Sequence, residues 1–202
     1  MNARYIRHLA VRRLAVRNVG GAMIALLALG PGAHAEMDLF SAYYNNVARA
    51  AAANDAATVA RLVAGEGSKA NAVDDSGRSG LQNAAANGNL RIVAILIKAG
   101  ANMNQRDPLG NTALHIATER NQIEVAELLI DVGTDLNSEN KNGMTPLMIA
   151  ARQGNAVLVK ALLAKGADVR KTDFTGRDAV SWAQESRRPA VVQALQRAVA
   201  QR

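Results

Sequence analysis

Apolar residues recur along this chain with a period of 33 residues. Within one period, apolar positions spaced by three and four residues form two short blocks, which predicts two amphipathic helices per unit. Helices this short are unstable alone in water and need stacked neighbours. The pattern therefore predicts an all-α solenoid of helix-turn-helix units with β-turn tips. One alanine series and two glycine series carry the period: Ala51, Ala84, Ala117, Ala150 and Ala183; Gly77, Gly110, Gly143 and Gly176; Gly67, Gly100, Gly133 and Gly166.

One unit illustrates the predicted layout. Residues 107–110 read Asp-Pro-Leu-Gly and predict a turn, after which the hydroxyl of Thr112 can cap the first helix. Asn121 is predicted to end that helix with a left-handed backbone, and Gly133 to end the second helix in the same way. Terminal units of a solenoid need a polar outer face, which the last unit has. The predicted bounds are 37–73 for an N-terminal capping repeat, 74–106, 107–139 and 140–172 for three full repeats, and 173–202 for a C-terminal capping repeat.

Two of the predicted turns carry similar segments. Residues 143–148 read Gly-Met-Thr-Pro-Leu-Met, and residues 110–115 read Gly-Asn-Thr-Ala-Leu-His. Together with the period and the glycines at the unit ends, these segments resemble the ankyrin repeat over about residues 42–202. The resemblance implies a solenoid that binds proteins in its concave groove. It also implies a structural role for eight motif residues: Thr112, His115, Thr145, Pro146, Gly67, Gly100, Gly133 and Gly166.

The first 35 residues differ from the repeats and predict a cleavable signal peptide. They contain five arginines and no acidic residue, then an apolar stretch over 19–29, and then Ala33-His34-Ala35. A basic start, a short apolar run and small residues at the cleavage site are typical of export signals. We expect cleavage after Ala35 and a bacterial periplasmic protein that meets the membrane only through this segment.

Three other interpretations of this leader stay open. The first is an uncleaved membrane anchor, although the apolar run is shorter than the roughly 20 residues that span a bilayer. The second is a mitochondrial transit peptide, which is also rich in arginine. The third is twin-arginine export, suggested by Arg12-Arg13. The general secretory route is favoured, because Ala15 and Val16 stand where the twin-arginine motif prefers bulkier residues.

The positive net charge of +7 depends on the leader. Without its five arginines the net charge falls to +2, so charge does not predict nucleic-acid binding and we expect none. The remaining charge is distributed unevenly. Residues 36–140 carry a net charge of −5, and residues 141–202 carry +7. The two ends of the repeat array are therefore expected to carry opposite fields.

Catalytic and metal-binding residue types are scarce outside the leader. The chain contains no cysteine, and His115 is the one histidine beyond residue 35. A general-base role for His115 competes with the role that the resemblance implies, in which its ring forms hydrogen bonds between turns beside Thr112. The adjacent pair Asp74-Asp75 lies in a predicted turn, where aspartate normally accepts from backbone N–H groups. We expect no enzyme activity, no metal and no cofactor.

The resemblance places the partner-binding face on the turn tips and the ends of the first helices. Arg120, Lys141, Arg152 and Arg177 make its later half basic, which favours an acidic protein partner. Trp182 is interpreted either as a binding anchor or as a residue that seals the end of the core. The predicted partner-binding residues are Asp75, Ser76, Arg78, Asn87, Leu109, Asn111, Glu119, Arg120, Lys141, Asn142, Met144, Arg152, Gln153, Phe174 and Arg177.

These observations favour a monomeric protein-interaction module with a protective, scaffolding or inhibitory role towards another protein. A self-associating envelope scaffold without a dedicated soluble partner is the alternative. A third interpretation holds that the same tip residues are tolerant surface positions with no binding role.

Overall fold

The computed structural model describes residues 46–64 and 70–201, and these residues form ten α-helices. The prediction of an all-α repeat solenoid is confirmed. Two isolated antiparallel bridges, Val73 with Ser79 and Thr172 with Asp178, close the first and last described turns. The helices are α1 Val47–Ala52, α2 Ala56–Val63, α3 Gly80–Asn87, α4 Leu90–Lys98, α5 Ala113–Glu119, α6 Ile123–Asp131, α7 Pro146–Gln153, α8 Ala156–Ala164, α9 Ala179–Glu185 and α10 Pro189–Ala200.

The helices form two layers. Odd-numbered helices pack on one another in chain order and make the inner layer, and even-numbered helices stack in the same order outside them. Each inner helix also packs against the outer helix that follows it in the chain. The core lies between the layers, where Leu114, Leu147, Ala117 and Ala150 are fully buried as the periodic pattern predicts. Burial of these columns holds neighbouring units together, because each hairpin alone exposes one apolar face.

Polar side chains begin most of the helices. The hydroxyls of Thr112 and Thr145 accept the backbone N–H groups of His115 and Met148 at 3.4 Å, which confirms the predicted cap at Thr112. Pro146 occupies the first position of α7. A backbone N–H at this position would have no acceptor within the helix, so proline costs no hydrogen bond there. Three outer helices begin instead with an aspartate or asparagine cap: Asp55, Asn89 and Asn155.

Left-handed backbone ends the inner helices at one repeated position. Asn121 has φ of 57°, as predicted, and stands where neighbouring repeats place Gly88 and Gly154. In the last hairpin Arg187 occupies this position with φ of 55°. Left-handed conformation strains a side chain as large as arginine, whereas glycine adopts it freely. At the ends of the outer helices Gly100, Gly133 and Gly166 have positive φ, as predicted, and Gly67 lies outside the described residues.

A ladder of asparagine side chains links successive repeats beyond the outer helices. The Oδ1 atoms of Asn71, Asn104 and Asn137 each accept a backbone N–H from the following repeat, at 2.6–3.0 Å. The next position in this series is Arg170, which has no amide oxygen to continue the ladder. The ladder therefore satisfies exposed backbone donors between units but stops before the last hairpin.

The predicted signal peptide and most of the sequence before α1 lie outside the described residues. Within residues 46–64 and 70–201, no helix combines the length and the apolar character needed to cross a membrane.

Candidate functional site

Four turns form one edge of the inner layer, and each is built on the side chain of its first residue. In every turn the Oδ1 atom of that residue accepts the backbone N–H groups two and four positions later, at 2.8–3.1 Å. This confirms the turn role predicted for Asp74. The carboxamide of Asn140 holds its turn as the carboxylates do, so the turn needs only an acceptor oxygen. The four first residues are Asp74, Asp107, Asn140 and Asp173.

Backbone hydrogen bonds join the tips of the last three turns. Lys141 N donates to the carbonyl of Leu109 at 3.0 Å, and Phe174 N donates to the carbonyl of Asn142 at 3.2 Å. Two apolar side chains project from this edge: Leu109 is 61% exposed and Phe174 is 73% exposed. Leu109 and Phe174 are both among the predicted partner-binding residues, and both side chains are accessible.

The other predicted partner-binding residues lie in the turns or at the C-terminal ends of the inner helices, with different degrees of exposure. Seven polar ones are exposed: Asp75, Ser76, Asn87, Glu119, Arg120, Lys141 and Asn142. Five are half-buried: Arg78, Asn111, Arg152, Gln153 and Arg177. A binding role for these residues stays a prediction.

Met144 is one of the predicted partner-binding residues, but it is not exposed. Its side chain is 5% exposed and belongs to the core, and its sulfur lies 3.8 Å from Nη1 of Arg152. The equivalent positions in neighbouring turns hold Asn111 and Arg177, which stay half-buried. An unbranched apolar side chain at this position lowers its free energy by turning inward, away from water. Met144 therefore supports the fold and is not available as an exposed contact.

Three of the five cationic residues in the predicted partner-binding set form ion pairs. One is Arg78, whose Nε lies 3.7 Å from Oδ2 of Asp107. Arg152 Nη2 bonds both carboxylate oxygens of Glu119, at 3.0 and 2.8 Å, and Arg177 Nη1 bonds Glu185 at 2.7 Å. By contrast, Arg120 and Lys141 have no ion-pair partner among the residues that the structure describes. The positive field of the later half of the edge is therefore partly neutralised by local pairs, a feature that residue counts did not predict.

Trp182 lies among these pairs at the C-terminal end of the inner layer. Its ring is half-buried against the core, and Nε1 donates to Oδ2 of Asp173 at 3.0 Å. The guanidinium carbon of Arg177 lies 3.8 Å from the ring centre, and that of Arg152 lies 5.5 Å away. Both distances are within the range of cation–π contact. Trp182 thus packs on the core, as one of the two interpretations held, and also takes part in a polar cluster.

Sequence reasoning missed this cluster, although the period contained a signal for it. Trp182 stands at the position held by Ile116 and Ile149 in the central repeats and by Asn83 in the first. Asn83 donates to Oδ2 of Asp74 at 2.6 Å, across the same nine-residue spacing that separates Trp182 from Asp173. A side chain with an N–H donor nine residues after a turn aspartate therefore predicts a hydrogen bond to that aspartate.

His115 is buried between two repeats. Its Nδ1 lies 2.8 Å from the hydroxyl of Thr112 and accepts the N–H of Thr112 at 3.2 Å, which leaves Nε2 to donate to the carbonyl of Met144 at 3.0 Å. Burial lowers the pKa of His115 and keeps the ring neutral. The predicted bonding between turns is confirmed. These bonds occupy both ring nitrogens, so this geometry does not support the general-base interpretation.

Hydrogen bonding favours the ionised form of two turn carboxylates, Asp173 and Asp74. Burial of Asp173 opposes ionisation, but bonds from the Thr175 hydroxyl, the backbone of Arg177 and the indole of Trp182 outweigh it and lower its pKa. Asp74 has a lowered pKa for the same balance of reasons, with bonds from Ser76 and Asn83. Within the described residues, no group of three or more histidine, aspartate or glutamate side chains is placed to hold a metal ion.

Comparison with known proteins agrees with this architecture. A family model described as ankyrin repeats (3 copies) matches residues 47–140 and 132–200, which is most of the chain. No curated protein matches the sequence. Repeats of this kind are generally protein-interaction modules and typically non-catalytic. The chain belongs to the ankyrin-repeat family.

Proposed function

We propose that this chain is a non-catalytic periplasmic protein that binds one protein partner along its turn tips and inner helices. The observation that carries the proposal is the exposure of Leu109 and Phe174 on the edge formed by the turn tips. Exposed apolar side chains with a polar rim are typical of protein-binding surfaces. Protection, inhibition or scaffolding of the partner are the roles that suit such a surface.

Crosslinked capture from the cell envelope, with the exported chain as bait, tests the proposal. The double variant Leu109→Ala with Phe174→Ala is expected to weaken capture about tenfold, or about 1.4 kcal/mol. Both side chains are mostly exposed, so the fold should be nearly unaffected. Val157→Ala is the matched control, because Val157 is also exposed but lies on the outer helix α8. Equal capture by the double variant and the parent, with both folded, would contradict binding at the tips.

Export rests on the basic, apolar and small-residue order of the first 35 residues. N-terminal sequencing of the protein isolated from its host is expected to begin at Glu36, within one or two residues. A protein that retains Met1 and fractionates with the cytoplasm would contradict export. Blocking the general secretory machinery should cause the uncleaved form to accumulate, whereas a block of twin-arginine export should not.

Self-association as an envelope scaffold is the second candidate function. The opposite net charges of residues 36–140 and 141–202 favour it, because complementary ends of two copies attract each other. Size-exclusion chromatography over a wide concentration range separates the two candidates. A monomer at every concentration supports the dedicated partner, and a concentration-dependent assembly supports the scaffold.

A further inference from the structure

Trp182 is the single tryptophan of the chain, and it lies in a compact group of charged side chains. We define the Trp182 cluster as Trp182, Arg152, Arg177, Glu119 and Glu185. Glu119 comes from the end of α5, Arg152 from the end of α7, Arg177 from the last turn, and Trp182 and Glu185 from α9, so three consecutive repeats build the cluster. It lies at the basic end of the array, where residues 141–201 hold ten basic and four acidic side chains.

We propose that the Trp182 cluster docks an acidic segment of the partner protein, whose carboxylates pair with Arg152 and Arg177 beside the indole ring. This inference rests on the proposed function, because it names the chemistry of the partner and the part of the turn edge that recognises it. It confines the electrostatic part of recognition to the last two repeats.

Both arginines retain donors for an incoming carboxylate. The bonds of Arg152 use Nη2 for Glu119 and Nη1 for the weak contact with the Met144 sulfur. Its Nε has no partner within the described part of the chain. Arg177 uses Nε for the Thr175 hydroxyl and Nη1 for Glu185, and its Nε also lies 3.7 Å from Oδ2 of the buried Asp173. Its Nη2 has no partner within the described part of the chain. A partner carboxylate can therefore bind without breaking every existing bond.

The carboxylates already present indicate which ligand chemistry fits the cluster. Glu119 and Glu185 pair with the two arginines, yet both have side chains that are at least half exposed. Ion pairs of this kind are weak in water and readily exchanged. A partner's glutamate or aspartate therefore replaces a ligand of the same chemistry, and the guanidinium groups stay paired throughout.

The cluster is also ordered before a partner arrives. Arg177 is held by the Thr175 hydroxyl, by Glu185 and by stacking on the ring, and the ring is held by its bond to Asp173. Immobilising a long side chain opposes binding, so an arginine that is already ordered binds a carboxylate more tightly than a mobile one. Planar guanidinium groups also match carboxylate geometry better than an ammonium group does.

Exposed residues beside the cluster extend the same recognition. Phe174 precedes Thr175 in the last turn and offers an apolar contact, and Lys141 supplies an unpaired cation on the neighbouring tip. The expected ligand is thus a segment with several glutamates or aspartates around one apolar residue. Its association should be faster at low ionic strength, because the basic end attracts it before contact.

Fluorescence of Trp182 provides the test, because the protein contains no other tryptophan. The intact protein is titrated with the synthetic peptide Glu-Glu-Leu-Glu-Glu at low salt, and separately with Gln-Gln-Leu-Gln-Gln. We expect a saturable change with the first peptide, no saturable change with the second, and weaker binding as salt is added. An equal response to both peptides, or no saturable response to the first, would overturn the proposal.

Variants make the test specific for the cluster. The double change Arg152→Gln and Arg177→Gln is expected to weaken peptide binding about tenfold. The double change Arg170→Gln and Arg197→Gln is the matched control, since both are exposed arginines of the basic end that lie outside the cluster and make no ion pair among the described residues. Thermal melting checks that the double variant stays folded, and Arg152→Lys provides a folded alternative in which binding should weaken less. If the control loses as much peptide affinity as the double variant in Arg152 and Arg177, the effect comes from net charge alone, and the proposal that the Trp182 cluster is the binding site is overturned.

Failure of this inference and failure of the proposed function give different results. If partner capture depends on Leu109 and Phe174 but not on Arg152 and Arg177, the docking proposal is wrong and the binding function stands. If the acidic peptide binds as expected but no envelope protein is captured, the docking chemistry stands and the proposed function is wrong. If Arg152→Gln abolishes a concentration-dependent assembly of the protein, the acidic segment belongs to a second copy, which overturns the proposal of a separate partner.

Discussion

The first and last turns of the described array use one structural position in two different ways. Asn83 and Trp182 are separated by three repeat lengths, and each donates to Oδ2 of the aspartate that begins its turn. Asn83 is buried, and it donates a second bond back to the carbonyl of Ala48 in the preceding hairpin, at 3.0 Å. Trp182 is half-buried, and two arginines lie beside its ring.

The two residues share one structural role, and each adds a second role of its own. Both donors satisfy a turn carboxylate, which is a requirement of the fold wherever aspartate begins the turn. Asn83 adds a bond that locks the first repeat onto its cap, so its position contributes to stability. Trp182 adds an aromatic surface between cations, which fits the recognition of another molecule.

The largest expected effect comes from the core that both ends share. Leu114→Ala removes a fully buried side chain from the central repeat and should lower the free energy of unfolding by about 2–5 kcal/mol. Because each repeat is stable only against its neighbours, the first and last repeats should lose stability together. Chemical denaturation followed by circular dichroism and by Trp182 fluorescence measures both. Coincident curves for the variant and the parent would contradict the packing.

Substitutions at Asn83 and Trp182 test the difference between the two ends directly. Asn83→Ala leaves a turn carboxylate and the carbonyl of Ala48 without this buried donor, which should cost about 1–3 kcal/mol. Trp182→Phe also removes a donor to a turn carboxylate but keeps the aromatic contact with both arginines, so the loss should be smaller. Thermal melts compare the two variants. A larger loss for Trp182→Phe would show that the last turn depends more on its donor than the first.

The stability of the protein at low pH should depend on the two turn carboxylates, Asp74 and Asp173. Asp74 and Asp173 have a pKa below the ordinary value of 3.8, so the folded protein binds these protons less readily than the unfolded chain. The stability they contribute is present above that value and is lost as pH falls through the folded pKa. Buried neutral His115 begins the decline earlier, below its ordinary value of 6.5, because the unfolded chain then takes up the proton first.

Asn140 suggests the variants that test this pH dependence, because it holds its turn with an amide oxygen. Asp74→Asn and Asp173→Asn should lower stability at neutral pH by about 1 kcal/mol each and flatten the decline below pH 3.8. His115→Gln should flatten the earlier decline, since Gln82 makes bonds between turns at the same position. Unfolding free energies across pH measure all three. Parallel pH profiles for the parent and the aspartate variants would contradict the assignment.

The smallest expected effect is a gain in stability from a substitution between α9 and α10. Arg187→Gly relieves left-handed strain, partly offset by the entropy of glycine in the unfolded chain, and should raise stability by about 0.5–1 kcal/mol. Asn121→Gly is the matched control at the same position of the second full repeat. Asparagine tolerates this conformation, so the control should change stability little. A loss of stability in Arg187→Gly would mean that the arginine side chain contributes more than its backbone strain costs.

Much of the local architecture could be predicted from the residues alone. Thr112 as a helix cap, Asn121 and the unit-end glycines as left-handed stops, and Leu114 as core all follow from short-range chemistry repeated at one period. Met144 shows where this reasoning fails. The residues at the same position in the neighbouring turns are polar and half-buried, whereas the apolar side chain of Met144 turns into the core and places its sulfur beside Arg152.

The sequence by itself determined the fold class, because caps, stops and apolar columns that repeat every 33 residues allow one stacking arrangement of helical hairpins. It also determined the acidic and basic ends of the array, since charge depends on residue identity. Only the tertiary structure decided which charges stay available for a partner. Arg152 pairs with a glutamate one repeat away, and the ring of Trp182 contacts arginines from two separate elements. Such contacts depend on distances between stacked repeats, and linear spacing does not specify where the ends of long side chains meet.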